Sequence, residues 1–377
     1  MRLRISRLCV FTWRDGQMVV DDPVRHRQYA LSPRAQRVLH RFADWTHVPD
    51  TGDGTDTAVV RQLLDGHVLV AEGSPDHRRE DDLGPWAQWG TAATYYHLAT
   101  RNHRDTEFAT AAEDTAWLLA NLTERPQPPE AKGYPDAARV ALPPARTPLP
   151  GGLEDVLRAR RTTRRLQEGR PVSRAHFATL LRWVAGPVHR VERPELRPAL
   201  LKASPSPGSV HTLEVYPVVM NVAGVDPGIY HYHCTDHALE PIAPGPVDPE
   251  RVVEWCGGQT HLRHAGALLL YTAVLDRMAW KYRTASSYRA LFMEVGHFSQ
   301  TAYLVGTALG LGVCFTASTR DEAVEDALGL DWTREILLGV SVVGVPAPDE
   351  AARQKAMLDG GAADFSFAGD AWDGRGP

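Results

Sequence analysis

Apolar positions along the chain recur with two periods, and the switches between them predict where strands give way to helices. Alternation over Leu3–Trp13 and Gln17–Val20, on either side of Asp15-Gly16, predicts a hairpin. Ser32-Pro33 then supplies a cap and a first-turn proline for a helix through Val38, Leu39 and Phe42. A second helix near Thr57–Leu64 and a strand at His67–Val70 follow, and this order within residues 1–75 predicts a winged-helix-like module. From Asp81 to Leu122 the pattern is helical and aromatic, with Trp86, Trp89, Tyr95, Tyr96, His97 and Trp117 read as packing residues. Pro126, Pro128, Pro129, Pro143, Pro144, Pro148 and Pro150 make an extended connector, where the main domain boundary is expected.

In the second half, Leu153, Val156 and Leu157 hold a helical period that Arg160–Arg164 breaks. Ser173 caps a helix through Phe177, Leu180 and Trp183, and the turn-prone Ser204–Ser209 precedes a strand at Leu213–Val219. Pro227-Gly228 turns the chain into Ile229–Cys234, and Ala265–Val274 reads as a buried strand. Asp276–Arg283 is a polar loop or helix start. Leu291–Leu309 is a long helix apolar on most sides, buried in a domain or a subunit interface. Gly310 suits its left-handed cap, and Ile336–Val345 is the last buried strand. The expected division is 1–75, a helical and proline-rich 76–150, a main domain at 151–350 and a flexible tail at 351–377.

Composition narrows the function classes. With 377 residues, 43% hydrophobic and 23% charged, the chain reads as soluble and globular. A net charge of -5 argues against a general nucleic-acid binder. Cys9, Cys234, Cys256 and Cys314 form no CxxC pair, which suits a reducing cytosol. The N-terminus lacks the apolar core of a signal peptide, and Ala302–Ala317 is too short to span a membrane, so a cytoplasmic protein is expected. The opening is nevertheless basic, through Arg2, Arg4, Arg7, Arg14, Arg25 and Arg27. It suits DNA, an acidic peptide laid along a sheet edge, or simply a solvated face.

Four stretches are candidates for chemistry. In an extended run Arg160, Thr162 and Arg164 point the same way, and two guanidinium forks with a hydroxyl between them suit a phosphate monoester; a solvated basic helix end is the alternative. The Ser204–Ser209 loop is expected to leave backbone N–H groups free for a planar or anionic ligand. His231, His233, Cys234 and His237 have the composition of a metal site. No second cluster completes it, so they are assigned to packing and turn chemistry. Glu294 and His297 form a lone ExxH without the second motif of a di-iron bundle.

Taken together, these stretches resemble the FMN-dependent nitroreductase superfamily, and within it the SagB-type dehydrogenases that oxidise thiazolines and oxazolines in ribosomally made peptides. Arg160-Arg161-Thr162-Thr163-Arg164 resembles the family's Arg-Arg-Ser-x-Arg phosphate motif. Ser204-Pro205-Ser206-Pro207-Gly208 and His211–Tyr216 resemble its flavin loop and strand, and Pro227–Tyr232 its hairpin. Gly257-Gly258-Gln259 resembles a segment whose polar side chain reaches the flavin. Gly296-His297 with Gln300, and Ala308–Gly312, match the long helix and following turn, and Lys281-Tyr282 matches the catalytic pair of azoline oxidisers. Tyr96–Arg101 resembles a signature upstream of many such domains. Thr316-Ala317-Ser318 departs from the family in lacking glycines.

The resemblance implies an α+β nitroreductase-like fold: a mostly antiparallel central sheet flanked by helices, with a buried dimer helix. It implies FMN held by Arg160, Arg161, Thr162, Arg164, Ser204, Pro205, Ser206, Gly208, Gln259, Gly310 and Gly312. It also implies Lys281 and Tyr282 as catalytic residues for azoline-to-azole oxidation by hydride transfer to flavin N5, with the Lys281 ammonium lowering the Tyr282 pKa. Implied partners are a second copy, a precursor peptide whose leader meets the N-terminal module, and a cyclodehydratase or another modification enzyme. Neither nucleic acid nor membrane is among them. Competing expectations are oxidation of another peptide group by desaturation or aromatic oxidation, of a small molecule, or a flavin-free peptide-binding role.

Overall fold

Alternation over Leu3–Trp13 predicts one strand, but two form: β1 (Arg2–Ile5) and β2 (Val10–Arg14). Ser6 separates them, its hydroxyl bonding Glu80 and accepting from Leu8 N at 3.2 Å. Asp15 and Gly16, at φ 52° and 76°, make the tight turn into β3 (Gln17–Asp22), and β4 (Arg27–Leu31) completes a β2-β3-β4 meander. Helix α1 (Pro33–His40) starts at the expected cap, where the Ser32 side chain accepts from Ala35 N. β5 (Thr46–His47), α2 (Gly54–Asp65) and β6 (Leu69–Ala71) follow, and β1 runs between β5 and β6 in a second small sheet. Leu3, Val20, Val38, Leu39, Phe42 and Leu69 form the core. Helices α3 (Pro75–Asp81) and α4 (Pro85–Thr100, kinked at Gly90) close the unit.

The computed structural model describes residues 1–48, 54–102 and 104–358. Met1–Phe108 with Thr284–Ser286 make one compact unit; Ala109–Arg283 with the chain from Ser287 make the other. The division falls at Phe108/Ala109 and not in the proline-rich connector. The connector is stitched onto the second unit: β7 (Val140–Ala141) pairs with a strand there, and Leu142 is 8% exposed.

The second unit begins with α5 (Ala111–Glu124), which carries a capping box between Thr110 and Glu113. Beyond β7 come α6 (Leu153–Ala159), α7 (Arg174–Ala185), β8 (Pro187–Val191), β9 (Ala199–Lys202), β10 (Leu213–Val219), β11 (Gly228–His233) and β12 (Ala238–Pro244). Then follow α8 (Pro249–Trp255), β13 (Ala267–Val274), α9 (Leu275–Lys281), α10 (Ser287–Ala308), β14 (Gly312–Thr316), α11 (Asp321–Leu328), β15 (Glu335–Gly344) and α12 (Glu350–Leu358). Helix α12 occupies the start of the expected flexible tail; residues 359–377 lie outside those described.

One sheet, ordered β14-β15-β13-β10-β11-β12-β7 with every neighbour antiparallel, organises the unit. The two-residue period of its central strands builds two cores. Leu213, Val215, Leu269 and Tyr271 face α7 and α10, whereas Tyr216, Val218, Leu268 and Leu270 face α8 and α11. Every residue of β10 is buried, which explains why all but Glu214 are apolar or aromatic. Each buried leucine or valine there contributes roughly 1.5–3 kcal/mol by leaving water. Helix α10 buries Leu291, Val295, Phe298, Ala302 and Val305 but leaves Phe292 and Met293 49% and 59% exposed, so in the single chain it is apolar and uncovered on one flank.

Candidate active site

The arginine run leaves α6 at Arg160 and passes extended beside β14, where Thr163 N donates to Val313 O at 3.0 Å. Gly312 makes this approach possible: a Cβ there would lie 2.7 Å from the Thr163 methyl. Tyr303 of α10 ties the segment down. Its hydroxyl lies 3.2 Å from Thr162 Oγ1 and accepts from Phe315 N at 2.8 Å, while the Arg160 guanidinium sits 5.3 Å above its ring. Arg160 and Thr162 thus share one side, as the extended period requires. Arg161 turns back, NH1 donating to Arg158 O and Arg160 O, and so caps α6. Arg164 is exposed, and its charge reaches His261.

The Ser204–Ser209 loop is held from below by one stripe of α10. Thr212 Oγ1 donates to Glu294 at 2.6 Å, the His297 ring meets Pro205 O at 3.0 Å, and Ser204 Oγ donates to Thr301 Oγ1 at 2.8 Å. Residues 294, 297 and 301 lie on one helical face, so a single element fixes the loop at three points. Within the loop the Ser209 amide is taken up by Ser206 O, and just beyond it Val210 N bonds to Pro207 O and His211 N to Ser206 Oγ. Ser204, fully buried, has its hydroxyl taken up by Val184 and Thr301. Ser204, Pro205 and Ser206 therefore build the loop through their hydroxyl and carbonyl oxygens. Gly310, at φ 71°, ends α10 as expected.

At the loop's tip the structure brings together two stretches 73 residues apart. Lys281 Nζ donates to Gly208 O at 2.7 Å and lies 5.4 Å from the Tyr282 ring centroid. Gly208, at φ 59°, is so close that a Cβ would collide with the Tyr282 hydroxyl. Lys281 lines a cleft with Gly208, His211, Arg277, Trp280 and Arg193. Burial and the Arg193 charge push the Lys281 amine below its ordinary value, against an opposing pull from Asp114. Tyr282 moves the other way from expectation: burial and Asp114 raise its phenol, and the Lys281 ammonium does not offset them. Burial thus favours the unprotonated amine at Lys281 and the phenol at Tyr282.

Gln259 donates Nε2 to Cys256 O and Thr316 Oγ1, both at 2.8 Å, which leaves its amide oxygen as the available acceptor. Ser318 packs so tightly on Gly257 that a Cβ there would lie 2.7 Å from its hydroxyl, and Thr316 orients Gln259; these are the positions where family glycines are absent.

The histidine cluster is structural. His231 is fully buried between Glu240 (2.8 Å) and Glu214 (3.1 Å), and Glu214 also holds the Arg277 guanidinium at 2.5 Å. Arg277 donates in addition to His211 O and Pro129 O, so the network braces the cleft floor. Among the described residues no group of ligands suits a metal ion, and no helix is long and apolar enough to cross a membrane.

Sequence reading missed Tyr303, Arg193 and His261. His261 is pushed down to about 4 by burial and the Arg164 charge, and its Nε2 is buried without a partner. Arg160 is half-buried and has no carboxylate partner among the described residues. An anion is what this donor set lacks, and a phosphate-bearing cofactor fits it.

The nitroreductase family profile matches residues 157–345, half of the chain. Similar proteins include the trifolitoxin-processing protein TfxB of Rhizobium leguminosarum bv. trifolii, 31% identical over 147 residues, or 38% of this chain and 39% of that protein. A Methanocaldococcus jannaschii protein described as a nitroreductase is 32% identical over 127 residues, 34% of this chain and 63% of its own length. The chain thus spans less than two thirds of either relative. An Anabaena variabilis structure described as a nitroreductase superposes with a TM-score of 0.50 at 21% identity, covering 67% of this chain and 47% of that one. With the antiparallel sheet, the buried helix and the arginine segment in place, the match over residues 157–345 decides the matter: the chain belongs to the nitroreductase family.

Proposed function

We propose that this nitroreductase-family oxidoreductase binds FMN and, like SagB-type dehydrogenases, oxidises an azoline in a ribosomally made peptide to the azole. The observation that carries the reading is the junction of Lys281 with Gly208, which puts a basic amine on the loop that the resemblance assigns to the flavin. Support for a peptide substrate comes from the similarity to a trifolitoxin-processing protein.

The oxidation removes two electrons and two hydrogens: one leaves as hydride, the other as a proton. Bound FMN would take the hydride, and dioxygen or another oxidant would restore it. Everything else falls to this chain. Arg160, Thr162 and Arg164 would bind the phosphate, with Arg161 fixing the segment's start. The Gln259 oxygen would accept from the ring, and the Ser204–Gly208 loop, Gly310 and Gly312 would shape the pocket. The Lys281 amine would receive the substrate proton while the Tyr282 phenol orients the ring being oxidised. The uncovered Phe292–Met293 flank of α10 suits a second copy of the chain. The short edge strands β5 and β6 of the N-terminal unit suit a leader peptide, and a cyclodehydratase would supply the azoline in the cytoplasm.

The test joins spectrum and mass. Purified protein should show flavin absorbance, and Arg160→Ala with Arg164→Ala should abolish it. Product peptides should be lighter by two hydrogens; added oxygen would indicate hydroxylation. Full activity in both Lys281→Ala and Tyr282→Ala would refute the catalytic assignment, and a colourless protein that binds peptide would reduce it to a recognition scaffold.

A further inference from the structure

Two basic side chains, Lys281 and Arg193, line the cleft together with the carboxylate of Glu130. Lys281 is on the last turn of α9, and Arg193 is in the segment joining β8 to β9. Arg193 is half-buried and has no carboxylate partner among the described residues. It is not loose: Nε and NH2 both donate to Arg197 O, at 2.9 and 2.6 Å. Arg197 is fixed in turn, donating to the side chain and backbone carbonyl of Gln127 at 2.9 Å each. The remaining charges around the cleft are engaged elsewhere. Glu130 faces Arg190 and Arg197 at 4.0 and 3.8 Å, and Arg277 is held by Glu214. His211 is buried and neutral, pushed down to about 3 by burial and the Lys202 charge. Tyr282 is an uncharged phenol. Asp114, in the first turn of α5, is the carboxylate whose charge reaches Lys281.

We propose that Arg193 is a positioning residue for Lys281: its clamped guanidinium, lining the same cleft, disfavours a second positive charge there and so makes the amine's lone pair more available for a substrate proton. The proposal rests on the reading of Lys281 as the base. A like charge fixed in a partly desolvated cleft disfavours a second one, while the exposed Asp114 opposes it, so the pair sets the pH at which the base becomes competent. The Gly208 carbonyl is compatible with either state of the amine, because a neutral amine still has N–H groups to donate. What Arg193 supplies is the bias between the two states, and a guanidinium suits this because it does not itself titrate.

The experiment measures Lys281 in two ways: the acid limb of the kcat/KM profile, and the pH dependence of Lys281 acetylation by acetic anhydride, read by peptide mass mapping. Arg193→Met should move both midpoints to higher pH and lower labelling several-fold at a fixed neutral pH, with flavin content and KM unchanged. Arg193→Lys should stay near the parent, and Asp114→Asn should move both midpoints to lower pH. An unmoved labelling midpoint in Arg193→Met, or a raised KM with an unmoved profile, overturns the proposal; the second result would make Arg193 a substrate contact. If Arg193→Met fails to fold, an unshifted Asp114→Asn overturns it instead. Labelling needs no turnover, so shifted midpoints in a protein that oxidises no azoline would keep the coupling and sink the oxidase reading alone.

Discussion

Lys281 Nζ and Gly208 O are 2.7 Å apart, and this one hydrogen bond joins the end of α9 to the tip of the loop between β9 and β10. Gly208 sits at φ 59° with the side-chain ends of Lys281 and Tyr282 against it, so any Cβ there must push them aside. Gly208→Ala should therefore displace those side chains and not merely strain the loop. The left-handed backbone alone costs about 1–2 kcal/mol, and the collision with Tyr282 adds to it. Expected is a loss of at least tenfold in kcat, on the order of 1.4 kcal/mol, with the fold retained by circular dichroism. Parent kcat in Gly208→Ala would show that the contact is incidental.

Tyr303 yields a second prediction. Its hydroxyl serves Thr162 and Phe315 N together, so Tyr303→Phe removes two hydrogen bonds and leaves a backbone donor short of its partner. The cost should be about 1–2 kcal/mol of stability, measured by urea unfolding. Flavin affinity should also fall, because the segment carrying Arg160 loses its anchor. A titration giving the parent Kd would argue that Thr163 and Val313 position the segment unaided.

The buried Glu214 is predicted to govern acid stability. Burial raises its carboxyl, but the Arg277 charge and the His231 contact prevail and hold it well below the usual carboxylate range. A carboxyl with a depressed folded pKa stabilises the protein above its unfolded value, near 4.3 or so, and that contribution is lost as pH falls through the folded one. Removing it by Glu214→Ala strands Arg277, which is 6% exposed, at a cost of about 3–5 kcal/mol. Unfolding midpoints at pH 7 and in acid should converge for the parent and variant as pH falls. A constant gap would place the stabilisation in packing instead.

The contrast between Glu214 and the arginine run shows what was legible beforehand. Helix ends marked by Ser32 and Ser173, the Asp15-Gly16 turn and the buried strand Ala267–Val274 follow from local rules, because caps, left-handed turns and near-continuous apolar runs have few alternative solutions. The extended Arg160–Arg164 stretch was legible for the same reason. Tyr303 and Arg193 were not, since a tyrosine on a helix and an arginine in a turn carry no signal until the fold brings Thr162 and Lys281 to them. The loop's internal hydrogen bonds have a similar cause: Ser206 is turn-prone because its oxygens can satisfy nearby N–H groups, and here they do. The pairing of the proline-rich stretch was not legible because proline predicts an extended chain, and an extended chain can also be an edge strand such as β7.

Glu294 gives the last prediction. It is wholly buried on α10 beneath the loop; Oε2 accepts from Thr212, while Oε1 has no partner among the described residues. Burial raises its pKa, and the Thr212 bond only partly offsets this. A carboxyl whose folded value lies above its unfolded one binds its proton more tightly in the folded state. It therefore weakens the fold once pH rises past the ordinary carboxylate range, and the deficit is complete above the folded value. Glu294→Gln keeps an oxygen for Thr212 and cannot ionise, so it should match or exceed the parent above neutrality, by on the order of 1 kcal/mol, with the difference shrinking toward acid. Glu294→Ala should instead be destabilising throughout, because it leaves Thr212 unpaired and opens a void under the loop. Urea titrations of the three proteins at pH 5 and pH 8 separate these outcomes: a glutamine variant less stable at the higher pH would mean that the ionised carboxylate is wanted there, as a partner for a cation that reaches it when the loop moves.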